Sequence, residues 1–101
     1  MIHSRFLPLA SIERYLPLME SLGVSEVARS SRGFLTAYRK ARGDPKRLSS
    51  EWKSKREGFI ARHMAQVKVR NEPLFDSKDL PTRRHLALIA WAYSPRLEKV
   101  R

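Results

Sequence analysis

The segment from Ser50 to Val69 constrains the fold more than any other part of the sequence, because its apolar residues recur at the spacing of an α-helix. At about 100° per residue these residues share one face, which would pack against the rest of the protein. Arg56 and His63 fall in the middle of the same face. The apolar members of the stripe are Trp52, Phe59, Ile60 and Val67. The helix must therefore either bury a cation and an imidazole or present them to an anionic partner.

Arg56 is the residue that separates these two interpretations. An unpaired guanidinium in a protein interior costs several kcal/mol, so a core position for Arg56 requires an acceptor. The N-terminal segment offers the carboxylates of Glu13, Glu20 and Glu26. We expect a structural contact between Arg56 and one of these at the rim of the core, with His63 hydrogen-bonded nearby. The alternative, a basic and aromatic surface that meets an anion, stays open at this point.

The remainder of the chain predicts short helices and no strand. Ser11 is a candidate cap for a first helix, Pro17 bends it or starts a second piece, and Gly23 is a natural stop. Ser25 could cap a further segment that extends to Gly43. We expect that segment to break between residues 30 and 33, because adjacent serines close to a glycine are poor helix interior.

The C-terminal part predicts the most buried helix. Thr82 is a candidate cap and Pro95 a candidate stop. The residues from Leu86 to Tyr93 are apolar on all sides, so we expect burial of Leu86, Ile89, Trp91 and Tyr93. Residues 1–101 are therefore interpreted as a small all-α single domain, a bundle of about four to five helices with a buried C-terminal helix.

Charge is the strongest indication of function. The formal net charge is +11, and between Arg29 and Arg70 there are 13 basic residues and three acidic ones. A field so concentrated attracts polyanions, of which nucleic acid is the common one in a cell; a surface that only keeps the protein soluble is the alternative. The residues expected to contact the phosphates of DNA or RNA are Arg29, Arg32, Arg39, Lys40, Arg42, Lys46, Arg47, Lys53, Lys55 and Arg62, with a second small group of Arg83 and Arg84 at a helix N-terminus.

The stretch from Val24 to Gly43 resembles a helix-turn-helix DNA reader, since a short helix, a tight turn and a basic second helix follow one another. The spacing departs from that pattern, because Gly33 follows Ala28 by one position more than usual. Phe34 and Leu35 also occupy the place where a reading helix has polar residues. We therefore expect a structural turn between two packed helices.

Catalysis and metal binding have little support in the sequence. The chain has no cysteine, which excludes thiolate zinc sites, disulfides and cysteine nucleophiles. His3, His63 and His85 have no carboxylate at metal-ligand spacing, and no glycine-rich phosphate loop is present. We expect no enzyme activity, no metal and no cofactor.

The function expected from the sequence is therefore that of a small basic nucleic-acid-binding protein. The alternative is a protein-interaction module, such as a regulatory or virus-encoded subunit that docks on a nucleic-acid-processing enzyme or a larger ribonucleoprotein assembly. No apolar run is long enough for a membrane helix, and Glu13, Arg14 and Pro17 interrupt any secretion signal. We expect an intracellular protein, cytoplasmic or associated with a nucleoid or nucleus, with no membrane partner.

Overall fold

A computed structural model describes residues 5–101, and these residues confirm the all-α class. No strand occurs among them; one isolated bridge joins Phe75 and Pro81. The helices in chain order are α1 (Leu9–Arg14), α2 (Leu16–Leu22), α3 (Glu26–Arg29), α4 (Phe34–Lys40), α5 (Ser50–Arg70), α6 (Arg83–Ile89) and α7 (Leu97–Val100), and a single 3-10 turn, Pro45–Arg47, lies between α4 and α5. These are more numerous and shorter than the expected four to five helices, because turns divide the first and last thirds of the chain.

The first two helices are separated as the proline and glycine signals indicate. Pro17 lies in the first turn of α2, and Gly23 ends that helix with left-handed backbone, φ 64°. The prediction of a Ser11 cap is wrong. Pro8 occupies the N-cap position of α1, its carbonyl accepts from the backbone N–H groups of Ser11 and Ile12, and Ser11 is a buried residue inside the helix.

The expected break between α3 and α4 is confirmed, and Gly33 explains how tight it is. A Cβ at this position would overlap the carbonyl oxygens of Val27 and Ala28, so only glycine lets α4 start so close to the end of α3. Ser25 precedes α3 but makes no side-chain cap, contrary to expectation. Its backbone is left-handed, φ 61°, rather than in the extended conformation from which a cap side chain reaches the helix N–H groups.

The long helix α5 agrees closely with the sequence prediction. The Ser49 hydroxyl accepts from the Trp52 N–H at 3.1 Å and caps its start, and Asn71, in left-handed backbone, ends it. At 21 residues it is the longest helix of the described chain. Neither α5 nor any other helix within residues 5–101 combines the length and the apolar character needed to cross a membrane.

The C-terminal helix starts where predicted and ends earlier. The Thr82 hydroxyl accepts from the His85 N–H at 3.4 Å. α6 then stops at Ile89 rather than before Pro95, because Ala92 adopts φ 59° and the Tyr93 N–H turns back to the Leu88 carbonyl at 3.1 Å. This is the bonding pattern of a Schellman stop, here with alanine where glycine is usual.

The core is centred on α6 and includes a ladder of near-parallel rings. Leu86 and Ile89 are fully buried, as expected, and Trp91 and Tyr93 are buried in part. Trp91 lies between Phe34 and Phe59, with ring centroids 4.9 and 4.8 Å away, and His63 continues the ladder 4.0 Å beyond Phe59. Large aromatic surfaces packed in this way join α4, α5 and the end of α6.

Candidate nucleic-acid interface

The region around the α4–α5 connection contains half of the predicted phosphate-contacting residues, and all of these are exposed. α4 ends in a left-handed turn at Arg42 (φ 56°) and Gly43 (φ 70°), and the Asp44 carboxylate caps the following 3-10 turn. These turns bring the end of α4 beside the first turns of α5. We call the surface the basic face; its residues, all exposed, are Arg39, Lys40, Arg42, Lys46, Arg47 and Lys55.

The basic face is only partly neutralised by the protein itself. Arg39 lies 3.7 Å from Glu13, Arg47 lies 3.8 Å from Asp44, and Lys55 lies 3.4 Å from Glu51. All three are exposed ion pairs, which contribute little to stability and exchange readily for other anions. Lys40, Arg42 and Lys46 have no acidic partner within residues 5–101.

A cleft of about 260 Å³ opens within the basic face. Lys40 from α4 and Arg47 from the 3-10 turn line it together with Ser49 and the half-buried Trp52. The remaining lining residues are apolar: Ala37, Ala41 and Leu48. The Lys55 ammonium lies over the Trp52 ring, 5.0 Å from its centroid. The cleft thus combines cations with an aromatic side chain, the combination that proteins use for the phosphates and bases of single strands.

The other predicted residues of the 29–70 segment lie outside the basic face. Arg29 is partly buried, and its Nε donates to the Val24 carbonyl at 2.9 Å. Arg32 is exposed in the α3–α4 turn. On α5, Lys53 is displaced from Lys55 by roughly 160° around the helix axis, so it faces away from the cleft, whereas Arg62 shares the side of Lys55 about two turns further on.

The second predicted group, Arg83 and Arg84, is occupied by internal contacts. Arg84 donates to Glu72 at 2.6 and 3.3 Å and to Nδ1 of His63 at 2.8 Å. The hydrogen bond from Arg84 lowers the pKa of Glu72 and keeps it ionised. Arg83 is exposed and donates to the Leu22 carbonyl. Arg84 is therefore a partner of Glu72 rather than a free phosphate ligand.

A groove that the sequence did not reveal lies next to these arginines. Residues 23–28 form one wall, and α5 and α6 form the other. Its polar part, about 630 Å³, contains His63, Glu72 and Arg84, and its apolar part, about 510 Å³, contains Phe59 and Trp91. Val27, 80% exposed, stands at its rim. The walls come from segments distant in sequence, so no local sequence pattern indicated the groove.

Arg56 is a core residue, as expected, but its described acceptors differ from the expected ones. The side chain is 1% exposed. Its Nε donates to the Trp91 carbonyl at 2.8 Å, and its Nη2 donates to the Ala92 carbonyl at 2.8 Å and to the Arg5 carbonyl at 3.2 Å. The guanidinium also lies 3.6 Å from the centroid of the Phe6 ring.

These contacts correct the prediction of a carboxylate from the N-terminal segment. The early Schellman stop of α6 leaves carbonyls that point into the core, and a guanidinium with several donors satisfies them. Glu13 pairs with Arg39 instead. Burial lowers the pKa of Arg56 to about 10, with the nearby Glu57 charge acting in the opposite direction, so the side chain stays cationic at neutral pH.

The two described histidines have structural partners. His85 is fully buried; its ring nitrogens lie 2.8 Å from the Leu74 carbonyl and 2.7 Å from the Ser94 hydroxyl. Burial lowers the pKa of His85, and burial together with the Arg84 and Arg62 charges lowers the pKa of His63. His3 lies outside the described residues. Within residues 5–101 no group of three or more His, Asp or Glu side chains is arranged to hold a metal ion.

The resemblance to a helix-turn-helix does not extend to the geometry of a reading helix. Phe34 and Leu35, which open α4, are 0% and 1% exposed, although a reading helix presents its N-terminal residues to base edges. The cations of this element, Arg39 and Lys40, lie at its other end. The turn between α3 and α4 is thus the packed structural turn that we expected.

Comparisons with known proteins give no significant match to a family model, a curated sequence or a solved structure.

Proposed function

We propose that the protein binds nucleic acid by contacting phosphates through the basic face, without chemistry of its own. The observation that carries the proposal is the concentration of seven basic and two acidic residues between Arg39 and Lys55, with Lys40, Arg42 and Lys46 exposed and without an acidic partner in the described chain. Unpaired cations on the same surface repel one another, and a bound polyanion removes this repulsion, so its binding is favourable.

The binding energy would come chiefly from counterion release. Each phosphate that a Lys or Arg neutralises frees condensed cations into solution, and this gain does not depend on base sequence. Arg39, Lys40 and Lys55 lie on helices, and the other cations of the basic face lie in the hydrogen-bonded turns between α4 and α5. The conformational freedom lost on binding is therefore mainly that of side chains. In the three weak ion pairs of the basic face, a phosphate replaces the internal carboxylate as the partner of the cation.

The test compares two variants that lose the same charge. Replacing Lys40, Arg42 and Lys46 by Gln removes the unpaired cations of the basic face, and replacing Lys78, Arg96 and Arg101 by Gln removes three exposed cations elsewhere. We expect the first variant to bind a labelled 20-nucleotide DNA and its RNA equivalent at least about tenfold more weakly. The second should change affinity far less. Equal losses in the two variants would mean that only net charge matters, and the basic face would not be the interface.

A second candidate function is supported by the groove. Val27 exposes an apolar side chain at the rim, above a floor that includes Phe59 and Trp91, and such a continuous apolar surface often marks a protein partner. Arg62 and Arg83 are exposed nearby, so the segment that fits would be amphipathic and acidic. A regulatory subunit of a nucleic-acid-processing assembly would use this contact.

Recovery of the protein from its native cells with and without nuclease separates the two candidates. Nucleic acid that co-purifies and is lost on nuclease treatment supports the first. A stoichiometric protein that remains after nuclease, and is lost with Val27→Asp, supports the second. Val69→Asp is the matched control, because Val69 is 83% exposed and lies outside the groove.

A further inference from the structure

The cleft of the basic face contains a tryptophan whose position is not explained by phosphate binding. Trp52 contacts the core through Phe34, edge to face at 6.0 Å, and through Trp91 at 6.0 Å. The ring remains half-buried. The Lys55 ammonium lies over the ring, 5.0 Å from its centroid, on a side chain that is itself 56% exposed. A flexible surface lysine can move aside at little cost, which leaves an aromatic face open to solvent.

We propose that Trp52 stacks on an unpaired base, so that the nucleic acid bound by the basic face is single-stranded. This inference rests on the proposed function and names its substrate class. Lys40 and Arg47 line the same cleft as Trp52, so phosphates on either side of the stacked nucleotide can reach them. The ammonium of Lys55, displaced from the ring, is then a further phosphate contact.

The aromatic ring in the cleft favours a single strand over a duplex. A duplex keeps its bases stacked on one another, so the ring of Trp52 would have no base face to meet. A base from a single strand is free to leave its neighbours, and stacking on an aromatic side chain accepts any of the bases.

Fluorescence of a single tryptophan tests the inference, since the chain has two tryptophans. Trp91→Phe retains a ring in the core ladder and leaves Trp52 as the reporter. The reciprocal variant, Trp52→Phe, leaves Trp91, which is stacked on both sides by Phe34 and Phe59. Each is titrated with a 12-nucleotide oligothymidylate, a 12-base-pair DNA duplex and inorganic polyphosphate.

We expect the oligothymidylate to quench Trp52 by about half or more and to leave Trp91 nearly unchanged, because only Trp52 gains a stacked base. Polyphosphate and the duplex should bind without comparable quenching. Trp52→Leu should bind oligothymidylate about 5- to 150-fold more weakly than wild type, while its affinity for polyphosphate changes little. Circular dichroism is used to check that Trp52→Leu is folded. If this variant does not fold, the quenching of the two single-tryptophan proteins decides the question alone.

The possible failures are distinct. If none of the three polyanions binds, the proposed function itself is wrong and the inference falls with it. If all three bind and the emission of Trp52 is unchanged, or is quenched equally by polyphosphate, the basic face recognises charge alone and the base-stacking inference is overturned.

Discussion

Replacing Arg56 by methionine tests the assignment of this cation to the core. Methionine fills much of the same volume and packs well against the Phe6 ring, but it donates no hydrogen bonds. The carbonyls of Trp91, Ala92 and Arg5 would lose the donor that now lies 2.8–3.2 Å away. The Ala92 carbonyl retains the Leu7 N–H at 2.8 Å.

The expected magnitude follows from these contacts. Hydrogen bonds from a charged donor contribute about 1.5–3 kcal/mol each, so the loss of three is worth roughly 5–9 kcal/mol. Burial lowers the pKa of Arg56 to about 10, which shows that burial of the charge is itself unfavourable, so its removal offsets part of that loss. The net destabilisation is about 2–6 kcal/mol, a fall in Tm of at least about 10 °C for a protein of this size.

Thermal unfolding followed by circular dichroism measures this change, with Lys55→Gln as the control. Lys55 is adjacent in sequence but exposed, and its pair with Glu51 is worth only about 0.3–0.5 kcal/mol. At a temperature where both variants are folded, Arg56→Met should bind nucleic acid like wild type, whereas Lys55→Gln should bind more weakly. An Arg56→Met protein that keeps the wild-type Tm and loses binding would refute the reasoning, because Arg56 would then belong to the interface.

Three further predictions concern stability. Gly33→Ala should destabilise the protein by more than about 3 kcal/mol, because its Cβ meets backbone carbonyls that cannot move. Gly58→Ala is near only a flexible Arg62 side chain and should stabilise α5 by about 0.5–1 kcal/mol. Urea unfolding compares the two variants, and equal effects would contradict the tight turn at Gly33. Trp91→Ala should cost about 3–5 kcal/mol by removing the middle ring of the ladder, and a Tm close to wild type would place that ring outside the core. The contribution of His63 and His85 to stability should be fully present above pH 6.5 and should be lost as pH falls below it. The pKa values of both histidines are lowered in the folded state, so the unfolded chain takes up protons first. His63→Gln should flatten the profile of Tm between pH 7.5 and 5, and an unchanged slope would exclude His63 as a contributor.

Much of the fold was predictable because its signals are local. The helical period from Ser50 to Val69 predicted α5 closely, and Gly23 and Gly33 determine turns through the missing Cβ. The helical period alone assigned Arg56 to the inner face of α5. In each case the signal lies in one residue and its neighbours in sequence.

The features that were missed depend on contacts between distant segments. The early end of α6 uses alanine in left-handed backbone at Ala92, and alanine gives no sequence signal for that conformation. The acceptors of Arg56 are backbone carbonyls, which every residue has and no side-chain pattern reveals. The pairing of Arg84 with Glu72 required the loop before α6 to fold back on α5.

The same distinction applies to the candidate site. Charge counts predicted the cations of the basic face, but they could not tell that Lys53 faces away from Lys55 in the folded protein or that Arg47 shares a cleft with Lys40. Trp52 belonged to the predicted core stripe, and the structure places it both against the core rings and in the lining of the cleft. The side chains were identifiable, and their grouping was not.

The salt dependence of nucleic-acid affinity tests the central claim most directly. The dissociation constant of a 20-nucleotide single-stranded DNA is measured by fluorescence anisotropy between 50 and 300 mM KCl. If the six cations of the basic face each neutralise a phosphate, the slope of the logarithm of the association constant against log salt is about −4. Replacing Lys40, Arg42 and Lys46 by Gln should make this slope shallower, about −2. A slope near zero, or an equal slope in wild type and variant, would contradict phosphate binding by this face.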